Sequence, residues 1–91
     1  MKKIFKYPLK TTDTQEIIIP RESEILCVQT QNDTPCLWAL VSVDGLLAQE
    51  SRTIITYGTG HPITDSKKLK YLGTYQLQNG FLVFHLFEKL P

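Results

Sequence analysis

Apolar and polar residues alternate along this chain in short runs, and turn-forming residues separate the runs from one end to the other. A period of two sends successive side chains to opposite faces of a strand, so the pattern predicts an all-β chain. No stretch repeats apolar residues at helical spacing over three turns. Phe5, Tyr7 and Leu9 alternate with Lys6 and Lys10 in a first strand, which Pro8 marks as an edge or a strand end because proline has no amide hydrogen for a ladder. Thr11 to Thr14 supply turn chemistry. Gln15 to Ile19 then form a second strand, stopped by Pro20 and the polar Arg21-Glu22-Ser23. Ile25 to Val28 open a third strand that turns polar at Gln29 to Gln31, and Asn32-Asp33-Thr34-Pro35 is a strong turn.

The fourth strand, Cys36 to Val43, is the most apolar of the first half. With Leu37, Trp38, Ala39, Leu40 and Val41 in succession, both of its faces are expected to be covered. Asp44-Gly45 reads as a hairpin turn, lengthened by the polar Gln49-Glu50-Ser51, before a fifth strand from Arg52 to Tyr57. Residues 64–69 allow one helical turn, with Thr64 or Asp65 as its cap. Tyr71 to Leu77 and Phe81 to Phe87 pair around Asn79-Gly80, the strongest short hairpin signal. In the last strand Phe81, Val83, His85 and Phe87 share one face and Leu82, Phe84 and Leu86 the other. These elements define one all-β domain over residues 1–91, an antiparallel sandwich or barrel-like fold of about seven strands. Covering both faces of the last strand in so short a chain calls for a partner, so a homo-oligomer is expected.

Size and charge narrow the function classes. A chain of 91 residues buries roughly 60–65% of its unfolded surface, so its stability margin is expected to be thin. A formal net charge of +1 argues against binding a nucleic-acid polymer, which needs a concentrated basic stripe to neutralise phosphates. Lys2, Lys3, Lys6 and Lys10, and Lys67, Lys68 and Lys70, read as solvated strand ends or gatekeepers against edge-to-edge pairing. No apolar run approaches the roughly 20 residues that cross a bilayer, and the first residues lack a signal-peptide pattern, so no membrane association and a cytoplasmic location are expected. Cys27 and Cys36 flank a turn without C-x-x-C spacing, which favours small buried side chains over a metal site.

The candidate chemistry gathers at Tyr57-Gly58-Thr59-Gly60-His61-Pro62, where the fifth strand ends. Two glycines one residue apart reach backbone torsions closed to other residues, so successive amides can converge on an anion, with the Thr59 hydroxyl and the His61 ring beside them. The simpler alternative is a tight strand exit whose glycines serve only the turn. A small anionic ligand would also need a cation, from Arg52 or His61, and a flat surface for a base, from Trp38, Tyr57 or Tyr75. The simpler reading of Trp38 is core, and that of Arg52 an exposed edge residue. Neither His61 nor His85 is followed two residues later by Ser or Thr, as in two-histidine phosphoesterases, and no acidic cluster has metal spacing. His85, within an apolar strand, reads as a hydrogen-bonded core or interface side chain. A non-enzymatic role without a cofactor is expected.

Five segments carry a resemblance: Lys3-x-x-Lys6-Tyr7-x-Leu9, Cys36 to Val41, Tyr57 to Ile63, Tyr71 to Gln76 and Val83 to Glu88. Together they resemble a family of small proteins of unknown function encoded by bacteriophages and prophages, the Gly-Thr-Gly-His-Pro block being the most specific part. In size and β format alone the chain is also similar to phage sponge proteins that bind nucleotide immune signals of the host. The resemblance implies a viral, anti-defence setting in the host cytoplasm. The expected function is capture of a nucleotide-derived signal, of cyclic nucleotide or cyclic ADP-ribose type, at Arg52, Tyr57, Gly58, Thr59, Gly60, His61, Trp38 and Tyr75. The alternatives are a module docking on a host protein through a sheet edge and a small phosphodiesterase.

Overall fold

The computed structural model describes residues 1–44, 48–64 and 68–91. Among the described residues it has seven strands: β1 (Lys2–Pro8), β2 (Thr14–Pro20), β3 (Glu24–Gln31), β4 (Thr34–Ser42), β5 (Gln49–Gly58), β6 (Leu69–Leu77) and β7 (Leu82–Lys89). They form two antiparallel sheets, one of three strands in the order β1-β4-β3 and one of four in the order β2-β5-β7-β6. The all-β sandwich expected from the alternation is the fold observed. No helix among the described residues is long and apolar enough to cross a membrane.

The core lies between the sheets and follows the period of two. Leu37, Ala39 and Val41 of β4 face Ile17 and Ile19 of β2, Ile54 of β5 and Leu86 of β7, with Ile25, Val28, Leu72 and Tyr75 completing the layer. One side of the sandwich is closed where β3 meets β6. A Cβ on Gly73 would stand 2.8 Å from the Val28 carbonyl oxygen and 3.2 Å from its nitrogen, so only glycine lets the two backbones approach this closely. Gly73 sits at a register shift of the β6–β7 ladder, the extra residue bending β6 toward β3. β1 and β2 are free edges on the other side. Lys2, Lys3, Lys6 and Pro8 on β1 are the residues that discourage edge pairing.

Both expected hairpin turns form. Asn32 and Asp33 (φ 51° and 62°) join β3 to β4, with Thr34 and Pro35 already in the strand. Asn79 and Gly80 occupy the centre of a turn closed by the Phe81 amide donating to the Gln78 carbonyl, 3.1 Å, so the connection from β6 to β7 takes four residues. The expected turn at Asp44-Gly45 and the helical turn at 64–69 fall largely on residues 45–47 and 65–67, outside the described residues.

One expectation is corrected here. The extents of the fold are 43 × 31 × 16 Å. Two sheets about 10 Å apart fill that thickness, so this chain places no third layer on either outer face. Trp38 and Leu40 of β4 therefore lie half-buried on the outer face of the three-stranded sheet, with Trp38 between Lys6 and Cys27 in register, and are neither core nor covered. Cys27 and Cys36 are both free and sit two residues out of register across the hairpin.

Candidate functional site

The bend after β5 is a β-turn. The His61 amide donates to the Gly58 carbonyl at 3.1 Å, and Gly60, at φ 87°, fills the position that requires a left-handed residue. The His61 N–H thus satisfies its own chain and is not available to an anion. The turn also folds the His61 ring over Gly58, where an added Cβ would meet ring atoms at 2.9 to 3.3 Å. Thr59 is engaged as well: its hydroxyl lies 2.7 Å from Nε2 of His85, whose Nδ1 lies 2.9 Å from the Thr74 hydroxyl. His85 is therefore hydrogen-bonded, as expected, but on the outer face of the four-stranded sheet, where Thr74 continues the chain of hydroxyls to Tyr71 at 2.5 Å.

Arg52 is at the far end of the same strand, six residues or about 20 Å from Gly58. It faces inward and clasps Glu88, with Nε and Nη2 donating to the two carboxylate oxygens, the latter at 3.2 Å. Nη1 donates to the Ser23 carbonyl at 3.1 Å and to Glu50 at 3.4 Å. The hydrogen bonds from Glu88 outweigh desolvation and hold the guanidinium above its ordinary pKa. The Glu88 pair lies within the four-stranded sheet, between β5 and β7, while the bond to Ser23 reaches the segment that carries the chain from β2 across to β3. The expectation that Arg52 or Trp38 stands beside the glycine loop is corrected: Arg52 is paired elsewhere, and Trp38 belongs to the outer face of the other sheet.

Of the eight residues read from the sequence, Tyr57, Gly58, Thr59, Gly60 and His61 share the loop end, and Tyr75 joins them from β6. Its ring packs 5.6 Å from Phe84 and its hydroxyl is 3.1 Å from that of Thr11. The Thr11-Thr12-Asp13 segment closes over this mouth of the sandwich. Gln15 shapes it by accepting from the Lys10 amide, 3.1 Å, and donating to the Lys10 carbonyl, 2.7 Å. Asp13 extends the β2–β5 ladder by one bond, its carbonyl accepting from the Thr56 amide at 2.9 Å.

Three adjoining cavities meet at His61. One of about 180 Å³ runs among Thr11, Thr12, Asp13, Thr56, Gly58 and Phe84. A second, about 430 Å³, continues past Asp13, Thr56 and Tyr57, and a third, about 350 Å³, lies between Gly58, Thr59, Phe81 and Phe84. Thr56, on the floor of the first two, is 8% exposed, and its hydroxyl is sealed from solvent without a hydrogen-bond partner. Phe81, beside the third, is 87% exposed, an aromatic face open to a planar group.

Thr11, Thr12, Asp13, Thr56, Phe81 and Glu88 were not among the candidates read from the sequence. Phase alone could have found two of them: Thr56 is in step with the inward Ile54, and Glu88 with the inward Phe84 and Leu86. Among the described residues no group of three or more His, Cys, Asp or Glu side chains could hold a metal ion. What the His61 end offers is hydroxyls, one carboxylate, one imidazole and an exposed ring, the donors and acceptors of a neutral or weakly charged polar ligand.

The chain belongs to the family described as Domain of unknown function (DUF7352), whose model matches residues 1–91. Neither a curated protein nor a solved structure matches the chain.

Proposed function

We propose that this protein is a non-catalytic binding protein that sequesters a small nucleotide-derived molecule at the His61 end of the sandwich. The observation that carries the reading is the Thr56 hydroxyl. Burying such a group unpaired costs about 1–3 kcal/mol, and here the cost falls beneath a histidine whose ring rests on a glycine and is exposed. A swing of that ring opens the floor to a ligand that can pair with the hydroxyl. Asp13 then accepts from sugar hydroxyls, Phe81 stacks on the base, and a ring N–H of His61 donates to a phosphate oxygen. Base stacking on an aromatic ring contributes about 1–3 kcal/mol. With Arg52 engaged by Glu88 and Asp13 nearby, the site suits a ligand of low charge, such as a cyclic nucleotide or a cyclic ADP-ribose derivative, over a polyphosphate. The likeness of the Tyr57–Ile63 block to phage and prophage proteins supports a setting in which that molecule is an immune signal of the host.

Calorimetry with a panel of cyclic nucleotides and cyclic ADP-ribose derivatives tests the reading. One of them binds stoichiometrically, is recovered unchanged by mass spectrometry after heat release, and loses at least about tenfold in affinity with His61→Ala or Phe81→Ala. No heat from any member of the panel, together with no nucleotide copurifying, overturns it. Recovery of a cleaved product replaces sequestration with phosphodiester hydrolysis.

A further inference from the structure

We infer that a second copy of this chain docks on the outer face of the four-stranded sheet, related to the first by a twofold axis running along β5. The inference does not depend on the ligand reading, although Ile55 and Tyr57 of this face also line the second of the cavities at His61.

The outer face presents Ile55, Tyr57, Phe87 and Tyr71 side by side. The Tyr57 and Phe87 rings meet edge to face at 5.9 Å and the Tyr71 and Phe87 rings at 5.5 Å. Tyr71, on β6 just beyond the strands that overlap in the dimer, remains 57% exposed, and Ile18, at the β2 edge of the same face, 59%. Aromatic residues clustered without a covering layer mark an interaction surface.

Charge selects the occupant. The register pairs Glu16 with Thr53 and Thr53 with Lys89, so one acidic and one basic side chain stand in a single row, one strand to either side of β5. Both point outward, since Ile17 and Glu88 beside them are buried. Turning the sheet about an axis along β5 reverses the row. Glu16 then faces the partner's Lys89, and Lys89 faces the partner's Glu16, while Thr53 and Ile55 meet their own copies across the axis. The self-complementarity that a twofold interface demands is thus already present in the register. A net charge of +1 leaves little self-repulsion to oppose the association.

Overlap of β2, β5 and β7 gives a flat footprint on the order of 400 Å² per copy from strand spacing and rise. That lies below the standard size of specific interfaces and fits a weak association. Sedimentation equilibrium of the full chain up to about 500 µM checks this. The wild type dimerises; Glu16→Lys and Lys89→Glu, both at exposed positions that leave the core intact, each weaken the dimer at least about tenfold. The double swap Glu16→Lys/Lys89→Glu restores it, because the pairs re-form with reversed sign. A wild type monomeric throughout the range overturns the inference. So does a dimer indifferent to the single swaps, or one that the double swap fails to restore.

Discussion

At the Arg52 end of β5 an inward guanidinium meets an inward carboxylate, and every donor that turns toward the core finds an acceptor. At the Gly58 end of the same strand the inward hydroxyl of Thr56 meets nothing, and the chain above it is a glycine turn carrying an exposed histidine. A cavity of about 600 Å³, larger than any one of the three at His61, is at the Arg52 end, among Glu50, Arg52, Glu88 and Leu90. Size does not make it the better site. Its guanidinium is already engaged by Glu88 and Glu50, so a ligand that needs Arg52 would have to displace a carboxylate and is otherwise left with the exposed Lys89, whereas at the Gly58 end a ligand has only an exposed ring to move. One strand thus has its inward charge paired with the neighbouring strand at one end and keeps an unmet polar group at the other, and the site is the less satisfied of the two.

The widest separation between the two ends is expected from Glu88→Ala. Arg52 would be left turned toward the core without its bidentate partner, and breaking a buried pair this way costs about 3 kcal/mol, the lower part of the usual range because Glu50 remains within reach. Urea denaturation near neutral pH measures it, with affinity at the His61 end unchanged in the folded fraction. A loss under about 1 kcal/mol would mean that the pair is not what holds that end of the β5–β7 ladder. Replacing both partners by apolar residues of similar volume is expected to be close to neutral, since it removes the desolvation of both charges together.

The opposite sign is expected at the other end. Thr56→Val keeps the shape of the side chain and removes the hydroxyl, so the folded state gains about 1 kcal/mol from no longer burying an unpaired oxygen. The same variant is expected to lose ligand affinity. A change that stabilises the fold while weakening binding separates a group kept for the ligand from one kept for the core. Should Thr56→Val destabilise by that amount, the hydroxyl has a partner of its own, and the contrast between the two ends disappears.

The strands, their faces and the two-sheet arrangement were legible because alternation is local: the inward set Ile17, Ile19, Leu37, Ala39, Val41, Ile54 and Leu86 can be read off by stepping two residues at a time. β4 shows the limit of that method. Apolar residues on both faces announce coverage only if a third layer exists, and Trp38 is apolar and uncovered. The loop half of the site was legible for the same reason as the strands, since Tyr57 to His61 are consecutive. Its other half was not, because Asp13 comes to it through the β2–β5 register, Thr11 through a hydroxyl of β6, and Phe81 through a turn that lifts the ring off the sheet. Arg52 was placed by chemical suitability for phosphate when its phase, shared with Ile54, pointed it at the inward Glu88. A charge in phase with core residues is a sign of a partner inside the fold.

The smallest effect on stability is expected from Gly58→Ala, and it is the most direct probe of the mouth. Gly58 and Gly73 both have a neighbour where a Cβ would go, yet the obstacles differ in kind. At Gly73 it is the Val28 backbone at 2.8 Å, which cannot retreat without separating β3 from β6. At Gly58 it is Cε1 of His61 at 2.9 Å, the far end of an exposed side chain that can rotate. Alanine at 58 also restricts the unfolded chain, a gain of about 0.4–1 kcal/mol that offsets the displaced ring and leaves the net change near zero. The displaced imidazole, however, no longer stands where it can donate to a phosphate held at the mouth. Gly58→Ala is therefore expected to fold with an unaltered urea midpoint, to shift the His61 ring resonances in NMR spectra, and to bind the ligand several-fold more weakly by calorimetry. An affinity equal to that of the wild type, with the ring demonstrably moved, would remove His61 from the site and leave its ligand contacts to Asp13 and Phe81.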